Sequence, residues 1–253
     1  MADDDAFAST LARDGVALAA WCGIGSSLVV ETAAASGYDL VLIDQQHGFG
    51  GQAELLAGLT AARAGGLPAA VRIGWNEDAL VSRALDAGAH AVVCPMINTV
   101  AQARALVHAA KYPPLGGRSW GPYRASLVID GDMLAVGNTR TRTFAQIETA
   151  EALDNLEAIV AVDGLDGVVV GPNDLAISMR GDRAIDAPDV LEAIERIRTA
   201  TREAGKIGWI FANTPDYARP LIMAGWDIVT ISTDIVWLRT AMTEVVAQAR
   251  AIT

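Results

Sequence analysis

The chain has 253 residues, 52% hydrophobic and 19% charged, with a formal net charge of −11. That apolar content fills a sizeable core and is not the composition of a disordered chain. The acidic balance argues against nucleic acid, which needs a basic face, and against a polybasic membrane anchor, but local positive groups still permit an anionic substrate.

In chain order, short apolar runs alternate with amphipathic segments. Strands are expected at Val16–Trp21, Leu40–Asp44, Ala69–Ile73, Ala91–Cys94, Thr143–Ile147, Gly167–Val170, Ile207–Phe211 and Ile228–Ser232. Each is apolar at nearly every position, as a strand buried on both faces must be. Helices are expected at Leu28–Ala35, Ala53–Ala64, Asp78–Ala87, Val100–Ala110, Glu151–Val160, Val190–Ala204, Pro215–Met223 and Val236–Ala251, with Thr99, Thr149 and Thr214 as caps. Eight strand–helix units in one domain, 1–253, make an α/β chain of the (β/α)8 TIM-barrel type. A doubly wound open sheet is the alternative. The stretch Lys111–Arg140, opened by Tyr112-Pro113-Pro114, is read as one long irregular loop serving as a lid or an interface.

Two scattered cysteines, Cys22 and Cys94, read as reduced thiols. The start, Met-Ala-Asp-Asp-Asp, is not a signal peptide, and no apolar run approaches the ~20 residues of a membrane helix. The expectation is a cytoplasmic protein with no membrane partner.

A barrel of this kind does its chemistry at the C-terminal ends of its strands. Those ends supply Asp44 with His47, then Arg72, then Gln146 and Glu148, then Gly171-Pro172-Asn173-Asp174. Glu148 and Asp174 close neighbouring strands, roughly 4.8 Å apart, and would repel without a cation. A hard divalent ion such as Mg²⁺ or Mn²⁺ resolves that conflict. The alternative is one helix cap and one surface ion pair. His47 reads as a base oriented by Asp44 or a neighbour, or else as a structural histidine. Arg72, inside an apolar strand, must meet an anion, either a substrate or a buried partner such as Asp44 or Glu148. His90 and His108 read as structural.

The turn Gly171–Asp174 offers free N–H groups to a carboxylate or phosphate. Cys22-Gly-Ile-Gly-Ser-Ser27 resembles a nucleotide loop but lacks its third glycine, so NAD is not expected. The only lysines are Lys111 and Lys206, both placed away from the strand ends, which disfavours a Schiff-base lysine and PLP. Metal-assisted chemistry remains.

Several landmarks together resemble one family. They are Trp21-x-Gly, Ile43-Asp44 with His47, Val71-Arg72, Leu85-Asp86-x-Gly88-Ala89, Pro95-Met96, Tyr112-Pro-Pro-x-Gly116-x-Arg118, Gln146-Ile147-Glu148 and Gly167-Val-x-Val-Gly-Pro-x-Asp174-Leu175. The chain is similar to class II pyruvate-dependent aldolases of the HpcH/HpaI type. The resemblance implies Glu148 and Asp174 as ligands of Mg²⁺, Mn²⁺ or Co²⁺, Arg72 as enolate stabiliser and His47 in acid–base work. It also implies Gln146 and the Gly171–Pro172–Asn173 backbone as substrate contacts, with Trp21 beside them. Asp86 matches an aspartate that works with the histidine; placed late on the third helix, it serves only from a neighbouring subunit. A homo-oligomer is implied, a hexamer with the last helix exchanged between subunits. The implied reaction joins a 2-oxo acid such as pyruvate or hydroxypyruvate to an aldehyde, with oxaloacetate decarboxylation as a side activity. Two other readings are a CoA-ester lyase of the citrate-lyase-subunit type and a non-catalytic barrel that binds a 2-oxo acid. Gln46, where many members carry Glu, and Ser119, where Gly is commoner, leave the physiological substrate open.

Overall fold

Eight parallel strands close on themselves in sequential order in a computed structural model that describes residues 5–13 and 15–252. They are β1 (Ala17–Cys22), β2 (Leu40–Asp44), β3 (Ala69–Arg72), β4 (Ala91–Cys94), β5 (Arg142–Ile147), β6 (Gly167–Val170), β7 (Ile207–Ala212) and β8 (Ile228–Ile231). Closure comes from β1 pairing with β8, Ala17 opposite Ile228 and Ala19 opposite Thr230. The open-sheet alternative is thereby removed.

The helices are α1 (Ala6–Leu11), α2 (Ser27–Ala35), α3 (Gln52–Ala64), α4 (Asp78–Asp86), α5 (Val100–Ala110), α6 (Ala125–Val128), α7 (Met133–Arg140), α8 (Ala150–Asp154), α9 (Leu156–Val160), α10 (Pro172–Arg180), α11 (Pro188–Glu203), α12 (Pro215–Ala224) and α13 (Asp234–Arg250). The three threonine caps hold: Thr99, Thr149 and Thr214 accept from the N–H groups of Gln102, Ala152 and Tyr217.

Side chains alternate between two cores. One parity of each strand fills the barrel interior, with Ala17, Ala19 and Trp21 on β1, Leu40 and Leu42 on β2, Phe144 on β5 and Trp209 on β7. The other packs outward against the helices, as Val41, Ile43, Val71, Val92 and Val168 do. The interior parity continues upward into Asp44, Arg72, Gln146 and Glu148, so the polar site is the top layer of the barrel's own filling. Below, Phe7 of α1 is buried against Phe144, ring centroids 5.9 Å apart. That helix plugs the lower end and was absent from the sequence expectation.

Two expectations need correction. Lys111–Arg140 is not one irregular loop: α6 and α7 lie within it, packed through Ala125, Ile129 and Met133. The helix Glu151–Val160 breaks at Asn155, whose side chain donates to the carbonyls of Asn98 and Glu151. The glycines of the Cys22–Ser27 loop serve packing: a Cβ on Gly25 (φ 78°) would stand 2.8 Å from Gly50 backbone, and Phe49 N–H donates to the Gly23 carbonyl. They let the loop after β1 cross the loop after β2.

Candidate active site

A cavity of about 360 Å³ opens at the C-terminal ends of the strands. Trp21, Asp44, His47, Arg72, Gln146, Gly171, Asn173 and Asp174 all line it. A second cavity of about 390 Å³, lined by Arg13, Arg63, His90 and Arg124, lies at the opposite end and holds none of these residues.

Its floor is an ion pair. Arg72 donates from Nε to Asp44 Oδ1 at 2.9 Å and from Nη2 to Oδ2 at 2.6 Å. Both side chains are buried. Trp21 Nε1–H adds a bond to Asp44 Oδ2 at 3.3 Å, and the Arg72 guanidinium lies 4.6 Å from the Trp21 ring centroid. Burial alone would raise the Asp44 carboxyl, but the hydrogen bonds and charge of Arg72 outweigh it and hold Asp44 below the usual carboxylate range. The buried-pair reading of Arg72 thus holds. It leaves Nη1, the one guanidinium nitrogen that Asp44 does not engage, for a ligand.

Asp44 also accepts from the backbone N–H of Gln46 and of His47. It therefore meets His47 through the main chain and shapes the turn. The expected carboxylate–imidazole contact is corrected: among the described residues no acceptor holds the exposed His47 ring.

Glu148 is buried behind the cavity lining. Its Oε1 accepts from Met96 N–H at 2.9 Å and its Oε2 from Gln146 Nε2. Met96 reaches it from a left-handed conformation, φ 56°. Burial, with the Asp174 charge adding to it against these two hydrogen bonds, pushes the Glu148 carboxyl up to about 7. Asp174 does not end a strand as expected. It sits in the first turn of α10, exposed at the cavity, two residues past the buried Pro172. Pro172 forms the helix start behind the wall and does not line the cavity.

Gly171 is required by contact. A Cβ there would lie 2.6 Å from Glu148 Oε2 and 3.1 Å from Gln146 Nε2. Gln146 Oε1 is buried with no hydrogen-bond partner among the described residues. A buried carboxylate whose ionisation the Asp174 charge opposes, an orphaned amide oxygen and a glycine that keeps the space open fit a hard cation and an oxygen-rich ligand. Asn173 exchanges two amide hydrogen bonds of 3.1 Å with Asn213, which locks α10 to the loop after β7.

Asp86 lies outside this cavity, at the far end of α4, where Arg118 Nη2 meets its Oδ1 at 2.7 Å. Lys111 is buried on Asp166 and the carbonyls of Asn138 and Thr141, and Lys206 donates to the Leu165 carbonyl. Neither lines the site.

Sequence reasoning missed Phe49, Thr233, Asp234 and Ile235, which also line the mouth. Asp234 is buried and accepts from Ile24 N–H at 2.9 Å, tying the loop after β8 to the loop after β1. The Thr233-Asp234 pair opening a helix was the only local signal, and it indicates a cap.

The family model described as HpcH/HpaI aldolase/citrate lyase matches residues 18–241. A hydroxypyruvate/pyruvate aldolase of Rhizorhabdus wittichii is 39% identical, covering 93% of this chain and 95% of that one. A 2-keto-3-deoxy-L-rhamnonate aldolase of Klebsiella pneumoniae is 34% identical over 90% of this chain and 86% of its own length. Among solved structures, an HpcH/HpaI aldolase/citrate lyase family protein of Burkholderia cenocepacia superposes with a TM-score of 0.89 at 32% identity, covering 96% of this chain and 98% of that one.

Proposed function

The chain belongs to the HpcH/HpaI aldolase/citrate lyase family, and on that premise we propose that it is a metal-dependent lyase joining pyruvate or hydroxypyruvate to an aldehyde, reversibly, through the enolate of the 2-oxo acid. The observation that carries this reading is the convergence of Glu148, Asp174, Arg72, Gln146 and His47 on one cavity wall and mouth.

Glu148 and Asp174 would hold the cation, which when bound supplies Lewis acidity to the keto group of the substrate. Arg72 presents Nη1 toward the developing enolate oxygen, preorganised by its fork on Asp44. Gln146 offers its free Oε1 to a donor at the same place. The start of α10 lines the cavity through Gly171, Asn173 and Asp174, and its N–H groups would suit the substrate carboxylate. His47 stands exposed at the rim, where it takes the C3 proton and later returns it to the alkoxide. Loss of CO2 from oxaloacetate yields the same enolate, so that side activity belongs to the same reading.

The protein's last helix supports an oligomer. Asp234 is the only buried residue of α13, while Leu238, Met242, Val245 and Val246 are exposed along it. Such a face needs a partner, and a neighbouring subunit, in a hexamer with α13 exchanged, supplies one. In that assembly Asp86 would act from the adjacent subunit. No described helix is long and apolar enough to cross a membrane.

A screen of aldehydes against pyruvate and hydroxypyruvate with Mg²⁺, Mn²⁺ or Co²⁺ tests the reading. Turnover with at least one pair supports it. Binding of the 2-oxo acid without any turnover would reduce the protein to a binding barrel.

A further inference from the structure

The closed strand order divides the cavity into halves of different character. The half over β3 to β6 carries Arg72, Gln146 and Asp174, with Glu148 behind them. The half over β7, β8, β1 and β2 carries Phe211, Ile235, Trp21 and Phe49, with Asp44 and His47 on its β2 side and Thr233 and Asp234 at the start of α13. Phe211 meets Trp21 edge to face, centroids 5.4 Å apart at 81°. Phe49 is 81% exposed and Ile235 is 51% exposed at the rim. Isolated surface apolar residues need no explanation, but here an aromatic floor and an apolar rim border the same cavity.

The charges on that half are equally informative. Its two buried carboxylates are both committed, Asp234 to the N–H groups of Ile24 and Ile235 and Asp44 to Arg72. The one guanidinium that lines the cavity, Arg72, is committed to Asp44. An anionic side chain entering over Trp21 therefore finds no uncommitted guanidinium or lysine opposite it, and Asp234 repels it. A hydroxylated side chain loses water against Phe49, Phe211 and Ile235, and the uncommitted polar side chains it meets beside them are His47 and Thr233.

We propose that this apolar half receives the side chain of the acceptor aldehyde, and that the preferred acceptors carry an unbranched alkyl or an aryl group. The proposal rests on the aldolase reading above and names the substrate class of that same site. In the addition, the C3 carbon of the donor loses a proton and forms a bond to the aldehyde carbonyl carbon. The carbonyl π pair moves to oxygen, which takes up a proton, so atoms and charge balance with no further reactant. The donor lies over the polar half, and the new bond then points the aldehyde substituent toward Phe211, Phe49 and Ile235.

The test is kcat/KM with pyruvate held fixed and the acceptor varied through ethanal, propanal, butanal and pentanal, with benzaldehyde, glyceraldehyde and glyoxylate alongside. The expected result is a rise of up to about fourfold per added methylene, the order for burying one such group, with glyceraldehyde and glyoxylate at least ~10-fold below butanal. A flat or falling series, or preference for glyoxylate or glyceraldehyde, overturns the assignment. Phe49→Ser is expected to flatten the series and Phe49→Leu to retain it; an unchanged slope in Phe49→Ser removes the apolar wall from specificity. Deuterium exchange into the pyruvate methyl group, measured on the unaltered protein without aldehyde, separates the two readings. Exchange with a failed series defeats the acceptor assignment alone, whereas absence of both exchange and turnover defeats the aldolase reading as well.

Discussion

Arg72 and Asp44 face each other across the β2–β3 pair, adjacent in register, and join through two parallel hydrogen bonds of 2.9 and 2.6 Å. The planar guanidinium uses one edge on the carboxylate and keeps Nη1 for the cavity. A lysine ammonium has no second edge and no planar face for Trp21. Arg72→Lys is therefore expected to lower kcat by at least ~100-fold, the order for removing one oxyanion donor, in a protein that still folds. Near-wild-type kcat in folded Arg72→Lys would remove Arg72 from the chemistry.

Glu148 gives a pH prediction with a definite sign. Its folded-state value is raised from 4.5 to about 7 by burial, with Asp174 adding to it. The stability it contributes is complete below pH ~4.5 and is lost as pH rises toward 7. In EDTA, Glu148→Gln is expected to be more stable than the parent at pH 8 by on the order of 3 kcal/mol, with the difference closing at pH 4.5. Denaturant unfolding at the two pH values measures it. Divalent-ion affinity is expected to fall about tenfold per pH unit below 7, with one proton released per ion. A pH-independent affinity across that window contradicts this account of Glu148.

Gly171 separates contact from conformation. Its φ is −102°, which any residue adopts, so only the space beside Glu148 and Gln146 forbids a side chain. Gly171→Ala is expected to displace Glu148 and weaken Mn²⁺ binding by ~10–100-fold, the range for disturbing groups that orient a metal ligand, with little change in the unfolding midpoint of the metal-free protein. Unchanged Mn²⁺ affinity would place the cation elsewhere.

Much of this site was legible because strand ends can be read locally. An apolar run that stops at Asp44, Arg72 or Gln146 announces both its buried parity and its polar exit. The Asp44–Arg72 pair was one of two readings for the same reason. Asp234 was not legible, because its partner Ile24 lies 210 positions away and meets it only when β8 closes on β1. Phe49 and Ile235 were missed for the same cause: loops converge through barrel closure, which periodicity does not encode. Asp174 was placed one turn too early because Pro172 starts α10 directly after Gly171. His47's ring lacks the acceptor that its neighbour Asp44 suggested, since Arg72 and Trp21 already occupy that carboxylate.

The exposed face of α13 makes a prediction about assembly. Met242 and Val245 are 61% and 65% exposed on a helix held to the barrel near its start, by the buried Asp234 and by Trp237, which stacks on Tyr38. Met242→Glu with Val245→Glu is expected to shift the protein from an oligomer toward the monomer in light scattering coupled to gel filtration, because a charge at an apolar interface leaves an unpaired buried group. An unchanged mass would assign the contact to another surface.

Enolate formation from a 2-oxo acid is expected to depend on the two carboxylates and on no lysine. Proton NMR of pyruvate in D2O follows this directly, as loss of the methyl signal. Exchange is expected to stop after EDTA treatment and to return with Mn²⁺, Mg²⁺ or Co²⁺, while Glu148→Gln and Asp174→Asn each need far more cation to restore it. Methyl exchange that continues at full rate in EDTA would contradict the account.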